Sequence, residues 1–284
     1  MLKQRVITAI VLLAILLPAL FASSPLPFTV LALIMAAAAA WEWGRLNGLG
    51  RAGSVATGAT CLLLCLLAWR GGMIEQNLSV LWVFAALLWV LGSAYLIKAG
   101  VSSWQTIPLV VRWSLGLFAL WVVWLAIAQA RMRGVNFLLS VMALVWVADI
   151  TAYFAGRAFG LKWTKNKLAP AISPGKSWEG AWGGMLGVIV LGVAWVQMDA
   201  SMAVAYKSFY SDLLSKAGWA VFILALLFLA AMSVTGDLVE SLIKRSAGVK
   251  DSSQLLPGHG GVLDRIDALL PVMPIAMMLM TVVQ

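Results

Sequence analysis

Long apolar segments alternate with short polar stretches along almost the whole chain. A helix that crosses a bilayer needs about 20 mostly apolar residues. The pattern predicts nine such helices, and the break between the first two depends on the turn-forming residues 23–27. The predicted spans are 5–22, 26–43, 54–70, 78–98, 107–128, 135–156, 179–197, 217–236 and 262–282. We therefore predict an all-α, polytopic integral membrane protein.

The composition supports this fold class. Of the 284 residues, 63% are hydrophobic and 11% are charged, whereas about 25% are charged in soluble domains. These values exclude a soluble globular domain, a disordered tail and a nucleic-acid-binding module. The net charge of +9 is therefore not a sign of nucleic-acid binding, and we expect no nucleic-acid partner. Two cysteines and one histidine are too few for a zinc cage or a disulfide framework.

The first span has some features of a secretory signal peptide. Lys3 and Arg5 precede an apolar run, and small residues follow it. Leu20 and Phe21, however, occupy the positions where a cleavage site needs small residues. We interpret residues 5–22 as a retained first helix.

The distribution of basic residues predicts the orientation. With a cytoplasmic N-terminus, 13 of the 20 basic residues lie in cytoplasmic stretches and five lie on the other side, while Arg112 and Arg265 lie inside spans near their cytoplasmic ends. Cytoplasmic loops of membrane proteins carry such an excess. We expect a cytoplasmic N-terminus and, because there are nine spans, a C-terminus on the opposite side. The compact chain without an evident transit peptide favours a bacterial inner membrane over an organellar one.

The chain has no long polar linker and no convincing repeat, so we predict a single membrane-embedded domain, 1–284. Residues 1–134 are mostly Leu, Ala, Val and Trp and are less informative. Residues 135–284 contain two polar stretches, 145–180 and 233–267, and both fall on the cytoplasmic side of the predicted topology. We therefore expect the catalytic helices, the catalytic loops and the active site there.

Acidic residues recur at helical spacing in the second polar stretch. One helix face contains Asp237, Glu240, Ser241 and Lys244, because these residues are spaced i, i+3, i+4 and i+7. Asp264 and Asp267 follow one turn apart. Carboxylates at a span end are costly unless they are paired or functional, and oxygen ligands favour a hard cation such as Mg²⁺. The predicted metal ligands are Asp237, Glu240, Asp264 and Asp267. The alternative is a solvated loop whose charges set the topology and pair with each other.

Basic residues and glycines in the same stretch suit phosphate chemistry. Phosphate oxygens could be neutralised by four cations, Lys244, Arg245, Lys250 and Arg265. Gly260 and Gly261, in the turn-forming segment 257–261, allow backbone amides to approach an anion. His259 could donate to a phosphate or transfer a proton, or it could cap the loop structurally.

The first polar stretch adds further candidates for substrate binding. Asp149 and Tyr153 are one helical turn apart near the end of a span, and Asp149 could instead pair with Arg157 or a lysine. A short polar hinge before the next span contains four residues, Ser173, Lys176, Ser177 and Glu179. Glycines spaced four apart, at 180 and 184 and at 183 and 187, predict close helix packing.

These motifs resemble a known family. Residues 241–245 read Ser-Leu-Ile-Lys-Arg, residues 250–251 read Lys-Asp, and residues 256–267 read Leu-Pro-Gly-His-Gly-Gly-Val-Leu-Asp-Arg-Ile-Asp. This pattern resembles the signature of phosphatidate cytidylyltransferases, also called CDP-diacylglycerol synthases. The segments 149–156 and 173–180 are similar to that family too. The similarity is strong over roughly the last 140 residues and diffuse over 1–134.

The resemblance implies a reaction in which CTP and phosphatidate in the bilayer give CDP-diacylglycerol and pyrophosphate. By position, Asp237 and Asp264 correspond to family acids that hold the catalytic metal ions, so Mg²⁺ is implied, with K⁺ as a companion ion. The expected catalytic residues are Asp237, Asp264, Lys244, Arg245 and His259. The expected partners are CTP, phosphatidate, membrane lipids and a second copy of the chain in a homodimer.

Two other readings compete with this one. A CDP-alcohol phosphotransferase needs an Asp-Gly-x-x-Ala-Arg segment, which the sequence lacks. A transporter or channel fits the hydropathy and the intramembrane acids, and it predicts flux without chemical turnover.

Overall fold

The computed structural model describes residues 2–202 and 204–283. Met1, Ala203 and Gln284, which the predicted domain 1–284 includes, lie outside the described residues. The described chain is 77% helical and contains no strand. The helices are α1 (Leu2–Phe21), α2 (Leu26–Leu46), α3 (Gly50–Arg70), α4 (Ser79–Ala99), α5 (Ser103–Thr106), α6 (Leu109–Arg133), α7 (Val135–Phe159), α8 (Trp178–Met202), α9 (Phe209–Ser246), α10 (Leu263–Ile266) and α11 (Leu269–Val282).

The all-α membrane class is confirmed. Within residues 2–202 and 204–283, nine helical segments are long and apolar enough to cross a membrane. The turn predicted at residues 23–27 does separate α1 from α2. The short helix α5 was not predicted.

The largest difference from the predicted boundaries concerns α9. The apolar pattern predicts a span over 217–236, but the helix runs over Phe209–Ser246 with a bend at Gly218, whose φ is 72°. Polar residues continue the helix beyond the apolar run. The last turns of α9 therefore carry Asp237, Glu240 and Lys244 as one rigid element.

The glycine pairs of α8 bring it close to α7. A Cβ atom at Gly184 would lie 2.9 Å from the carbonyl oxygen of Ala148, and one at Gly180 would lie 3.0 Å from that of Ala152. Only glycine allows backbones to approach so closely. The predicted close packing is confirmed, and it fixes the end of α7 that carries Asp149.

Both polar stretches lie at the same end of the bundle. The side chain of Lys176, which precedes α8, meets α9 at Asp237. The loop 247–262 meets α1, because Arg5 Nε donates to the Gly258 carbonyl (2.8 Å) and the Thr8 hydroxyl donates to the Pro257 carbonyl (2.9 Å). The predicted convergence of the two stretches is therefore present in the fold.

The opposite end of the bundle contains a separate polar cluster around Asp199. Its Oδ2 atom accepts hydrogen bonds from the Ser208 amide (3.0 Å), the Ser208 hydroxyl (2.5 Å) and the Ser211 hydroxyl (2.6 Å). Its Oδ1 atom accepts from Asn136 Nδ2 (2.9 Å). This cluster ties α7 and α8 to the start of α9.

Candidate active site

A cleft opens between α7, α8 and α9 where the two polar stretches meet. Its empty volume is about 950 Å³. The predicted site residues that line it are Asp149, Tyr153, Lys176, Ser177 and Asp237. The structure therefore brings five predicted residues, from two helices and a loop, to one place.

The loop 160–177 places Lys176 at the edge of this cleft. The Leu168 amide donates to the Lys176 carbonyl (3.1 Å), and the Ser173 amide donates to the Ala169 carbonyl (2.8 Å), which closes a tight turn. The Lys176 ammonium then lies 2.7 Å from Asp237 Oδ2. This ion pair is partly exposed, so a phosphate that enters from water can reach it.

Ser177 and Glu179 hold the two ends of the same loop. The Ser177 hydroxyl accepts from the Gly180 amide (3.2 Å) and thus caps α8. Glu179 is buried and accepts from the amides of Trp163 (3.1 Å) and Thr164 (2.8 Å). A sequence pattern alone gave no reason to assign Glu179 this structural contact.

The polar face of α9 divides into two sides. Asp237 Oδ1 accepts from the Ser241 hydroxyl (3.1 Å) on the cleft side. Glu240 Oε2 lies 2.5 Å from Lys244 Nζ, and Lys244 Nζ lies 2.6 Å from Asp264 Oδ1 on the other side. Successive residues of a helix are rotated by about 100°, so Glu240 and Ser241 cannot point into the same space. One predicted face therefore serves two neighbouring clusters.

Asp264 is held firmly by the loop that precedes it. Its Oδ2 atom accepts from the Ser252 amide (3.0 Å), the Ser252 hydroxyl (3.0 Å) and the Gly261 amide (2.7 Å). The Gly261 amide, expected to contact a substrate anion, is thus directed at a carboxylate of the protein. Gly260 has a φ of 84°, and its carbonyl accepts from the Leu256 amide (2.9 Å).

Glu42 is the residue that the sequence prediction missed. It is fully buried in α2, and its Oε1 atom accepts from the Ser253 hydroxyl (2.5 Å) and the Val262 amide (2.9 Å). Its Oε2 atom accepts from the Leu263 amide (2.7 Å) and lies 3.0 Å from the Ser252 hydroxyl, whose single proton can go either to Glu42 or to Asp264. Glu42 therefore fixes both sides of the loop that positions Asp264. An acidic residue inside an apolar helix was the available signal, because such residues are costly unless they have a role.

Asp149 and Asp237 lie beside the Lys176 ammonium. Asp267 lies near these two carboxylates, and its own neighbouring cation is Lys244. Arg157 donates instead to the Tyr153 hydroxyl (3.5 Å). In the part of the chain that the structure describes, no group of three or more His, Cys, Asp or Glu side chains is arranged to hold a metal ion alone.

The remaining predicted residues lie outside the cleft. Arg245 Nη1 donates to the Val249 carbonyl (3.4 Å), and Arg265 Nε donates to the His259 carbonyl (2.9 Å). Lys250 lines a separate surface depression of about 1130 Å³ together with Arg45. The backbone carbonyl of His259 therefore anchors Arg265, and this contact tests neither role proposed for the His259 side chain.

Comparisons with known proteins give the family. Residues 3–283 match the model of the cytidylyltransferase family. The chain belongs to this family. A relative from Haemophilus influenzae is 37% identical over 294 residues, which cover 96% of each chain. A relative from Pseudomonas aeruginosa is 36% identical over 97% of this chain and 95% of its own, and one from Bacillus subtilis is 32% identical over 96% and 95%.

Each of these cytidylyltransferase relatives is named phosphatidate cytidylyltransferase. The names give no support to a transporter, a channel or a CDP-alcohol phosphotransferase. The family match begins before Arg5 and includes Glu42. The helices that hold the loop 247–262 are thus as much a part of the cytidylyltransferase match as the loop itself.

Proposed function

We propose that this family member is a phosphatidate cytidylyltransferase, which converts CTP and phosphatidate to CDP-diacylglycerol and pyrophosphate. A phosphate oxygen of phosphatidate forms a bond to the α-phosphorus of CTP, and the bond between that phosphorus and the oxygen of the β-phosphate breaks. Pyrophosphate leaves with the electron pair of the broken bond. The relatives named above, similar over nearly their whole length, support this substrate pair.

The single observation that carries the proposal is the Lys176–Asp237 pair in a cleft at the end of a membrane bundle. Both substrates are polyanions, so their mutual repulsion is a large part of the barrier. Lys176 can neutralise a phosphate there, and preorganised cations stabilise the transition state of phosphoryl transfer. The nucleophile is already ionised at neutral pH. A strong general base is therefore not required.

The acidic residues of the site suit Mg²⁺. All are oxygen donors, and Asp149, Asp237 and Asp267 lie near one another. Mg²⁺ is usually held by one or two carboxylates together with substrate phosphates, so a site without three protein ligands fits this ion. We propose that Asp237 and Asp264, which lie in the two neighbouring clusters, hold the catalytic metal ions, Mg²⁺ and a companion K⁺, with Glu240 and Asp267 beside them. Bound there, Mg²⁺ would screen the phosphate charges.

We further propose that the cleft faces the cytoplasm of a bacterial cell and that the protein is a homodimer in the inner membrane. The excess of basic residues on that side supports the orientation, and the bacterial relatives support the membrane. Lys250→Cys and Lys207→Cys, exposed at opposite ends, test the orientation. A membrane-impermeant thiol reagent should label only Lys207→Cys in intact cells, and the reverse pattern would refute the orientation. Cross-linking in membranes tests the dimer.

The reaction is tested with purified protein in mixed micelles that contain phosphatidate, CTP labelled at the α-phosphate, and Mg²⁺. We expect label in the lipid phase, loss of labelling with EDTA, and loss of labelling in Asp264→Asn. Asp212→Asn is the matched control, because Asp212 pairs with Lys216 (3.4 Å) in the first turns of α9. A folded wild type that transfers no label would refute the proposed reaction, and a fully active Asp264→Asn would refute the role of Asp264.

A further inference from the structure

A second cavity lies on the opposite side of α9 from the cleft. It has an empty volume of about 770 Å³ and is bounded mainly by α4, α6 and α9. We call it the α4/α6 crevice. Its walls are formed chiefly by Leu88, Gly92 and Leu96 of α4 and by Phe118 and Ala119 of α6. Almost all of this lining is apolar, and several of the residues are only partly buried.

The shape of the crevice matches one leaflet of a bilayer. The rings of Phe84 and Phe118 meet with their centroids 5.7 Å apart and bridge α4 to α6 at one level. Along α4, the lining residues extend from Leu88 to Leu96, a rise of about 12 Å. Half of a hydrocarbon core is about 15 Å thick. The crevice is therefore long enough to cover most of one leaflet.

Two residues of the lining contain buried polar atoms that have no partner among the described residues. The Glu240 side chain, in a residue that is 3% exposed, lines the crevice, and its Oε1 atom has no hydrogen-bond partner among the described residues. Its other oxygen pairs with Lys244. The indole Nε1 of Trp104, which is 2% exposed and also lines the crevice, is likewise without a partner in the described chain. The otherwise apolar lining thus contains one unpaired hydrogen-bond acceptor and one unpaired donor among the described residues.

We propose that the α4/α6 crevice binds one acyl chain of an uncharged glycerolipid, of the diacylglycerol class. The chain lies along the apolar walls of α4 and α6. A free hydroxyl of the glycerol donates to Glu240 Oε1, and an ester carbonyl accepts from Trp104 Nε1. These contacts satisfy both buried groups, which would otherwise be left desolvated.

The local charge selects an uncharged lipid. Glu240, Lys244 and Asp264 form a chain of two carboxylates and one ammonium. The described lining residues include no Lys or Arg, and Lys244 behind them is already shared by the two carboxylates, so a phosphate would find no free cation at this position. The occupant would touch Glu240, whose partner Lys244 also holds Asp264. A lipid in the crevice would therefore contact the same group of side chains that positions Asp264.

Gly92 gives a clean way to fill the crevice. A Cβ atom at this position meets nothing within 4 Å, so the side chain of Gly92→Leu extends into empty space. Ala94→Leu is the matched control, because it adds similar bulk to an exposed position of the same helix. Ala119→Leu fills the crevice from the opposite wall and serves if Gly92→Leu does not fold.

The test is photo-cross-linking in lipid nanodiscs with two probes that carry the same diazirine acyl chain, one a diacylglycerol and the other a phosphatidate. We expect the diacylglycerol probe to label peptides of α4 and α6. Gly92→Leu should lower this labelling about tenfold, and Ala94→Leu should leave it unchanged.

Equal labelling of wild type and both filled variants would overturn the proposal, as would stronger labelling of α4 and α6 by phosphatidate or no labelling there at all. Thermal unfolding checks that each variant is folded. The experiment needs no CTP, so its outcome is independent of the proposed transferase activity.

Discussion

The two ends of the bundle satisfy their carboxylates in different ways. At the end near Asp199, all four hydrogen-bond donors are uncharged groups of neighbouring helices and loops. At the other end, Asp237 and Asp264 each face a lysine at 2.6–2.7 Å, which for Asp264 adds to its uncharged donors. Uncharged donors fixed in the fold give a permanent structural contact. A lysine pair can be opened by a phosphate, and this difference separates a structural carboxylate from one suited to chemistry.

Glu42 shows that the type of partner does not depend only on which end of the bundle a carboxylate occupies. It lies at the end that contains the cleft, yet its four donors are uncharged, as those of Asp199 are. We therefore regard Glu42 as a residue that positions Asp264 and does not touch the substrate. The comparison then predicts that the effect of substituting a carboxylate, on activity or on stability, depends on its hydrogen-bond partners as well as on which end of the bundle it occupies.

The largest expected effect is that of Lys176→Met. It removes the cation that meets the substrate phosphate, so kcat/KM should fall about 100-fold. The free energy of unfolding should change by less than about 1 kcal/mol, because the pair with Asp237 is partly exposed. Steady-state kinetics and thermal unfolding in micelles measure the two effects.

Lys167→Met is the matched control, since Lys167 lies in the same loop and its ammonium donates to the Pro174 carbonyl (2.6 Å). Equal losses of activity in both lysine variants would show that the loop, and not the pair with Asp237, matters.

Glu42→Ala should reduce both stability and activity. It leaves the Ser253 hydroxyl and the amides of Val262 and Leu263 without their acceptor, which should cost about 2 kcal/mol of unfolding free energy. The loop around Asp264 should loosen, so kcat per folded molecule should fall about tenfold while KM for CTP changes little. Glu42→Gln keeps one acceptor oxygen and should recover part of both losses. An unchanged kcat per folded molecule in Glu42→Ala would reduce the role of Glu42 to stability alone.

Asp199→Ala should affect stability alone. The loss of unfolding free energy should again be about 2 kcal/mol, because Ser208, Ser211 and Asn136 lose their acceptor. The activity of the molecules that remain folded should equal that of the wild type. A lower kcat would mean that the two ends of the bundle are coupled, and the comparison would then fail.

The smallest effect is expected for Gly184→Ala. The added Cβ would lie 2.9 Å from the Ala148 carbonyl and should push α7 away from α8 at a net cost of about 1 kcal/mol. Gly92→Ala is the control, because its Cβ meets nothing within 4 Å and a helical alanine is favoured over glycine. Thermal unfolding of the two variants should therefore shift in opposite directions. A shared direction would contradict the close approach of α7 and α8.

Hydrophobic pattern was enough to predict the helical membrane fold, because each span is a local property of the sequence. Helical spacing likewise predicted that Asp237, Glu240 and Lys244 share one element. It could not predict that Glu240 turns away from the cleft, since that depends on the neighbours of α9. The family resemblance pointed to Asp264 but gave no information about its donors, and the roles of these residues in catalysis stay predictions.

Long-range contacts explain most of what was missed. Glu42 and Ser252 are 210 residues apart, and no local pattern links them. Lys250 belongs to the same motif as Asp264, yet it lies in another depression, because the loop between them turns back on itself. Proximity in a motif is therefore a weaker guide to a site than the contacts of each side chain.

The contact between Glu42 and Ser252 also sets an order of assembly during synthesis. Because 210 residues separate the two, the ribosome needs roughly 10–40 s to reach Ser252 after Glu42 at about 5–20 residues per second. During this interval the second membrane helix contains an acid whose four donors do not yet exist. A chain released before residue 252 keeps that carboxylate without these partners, and this defect distinguishes an unfinished molecule from a finished one.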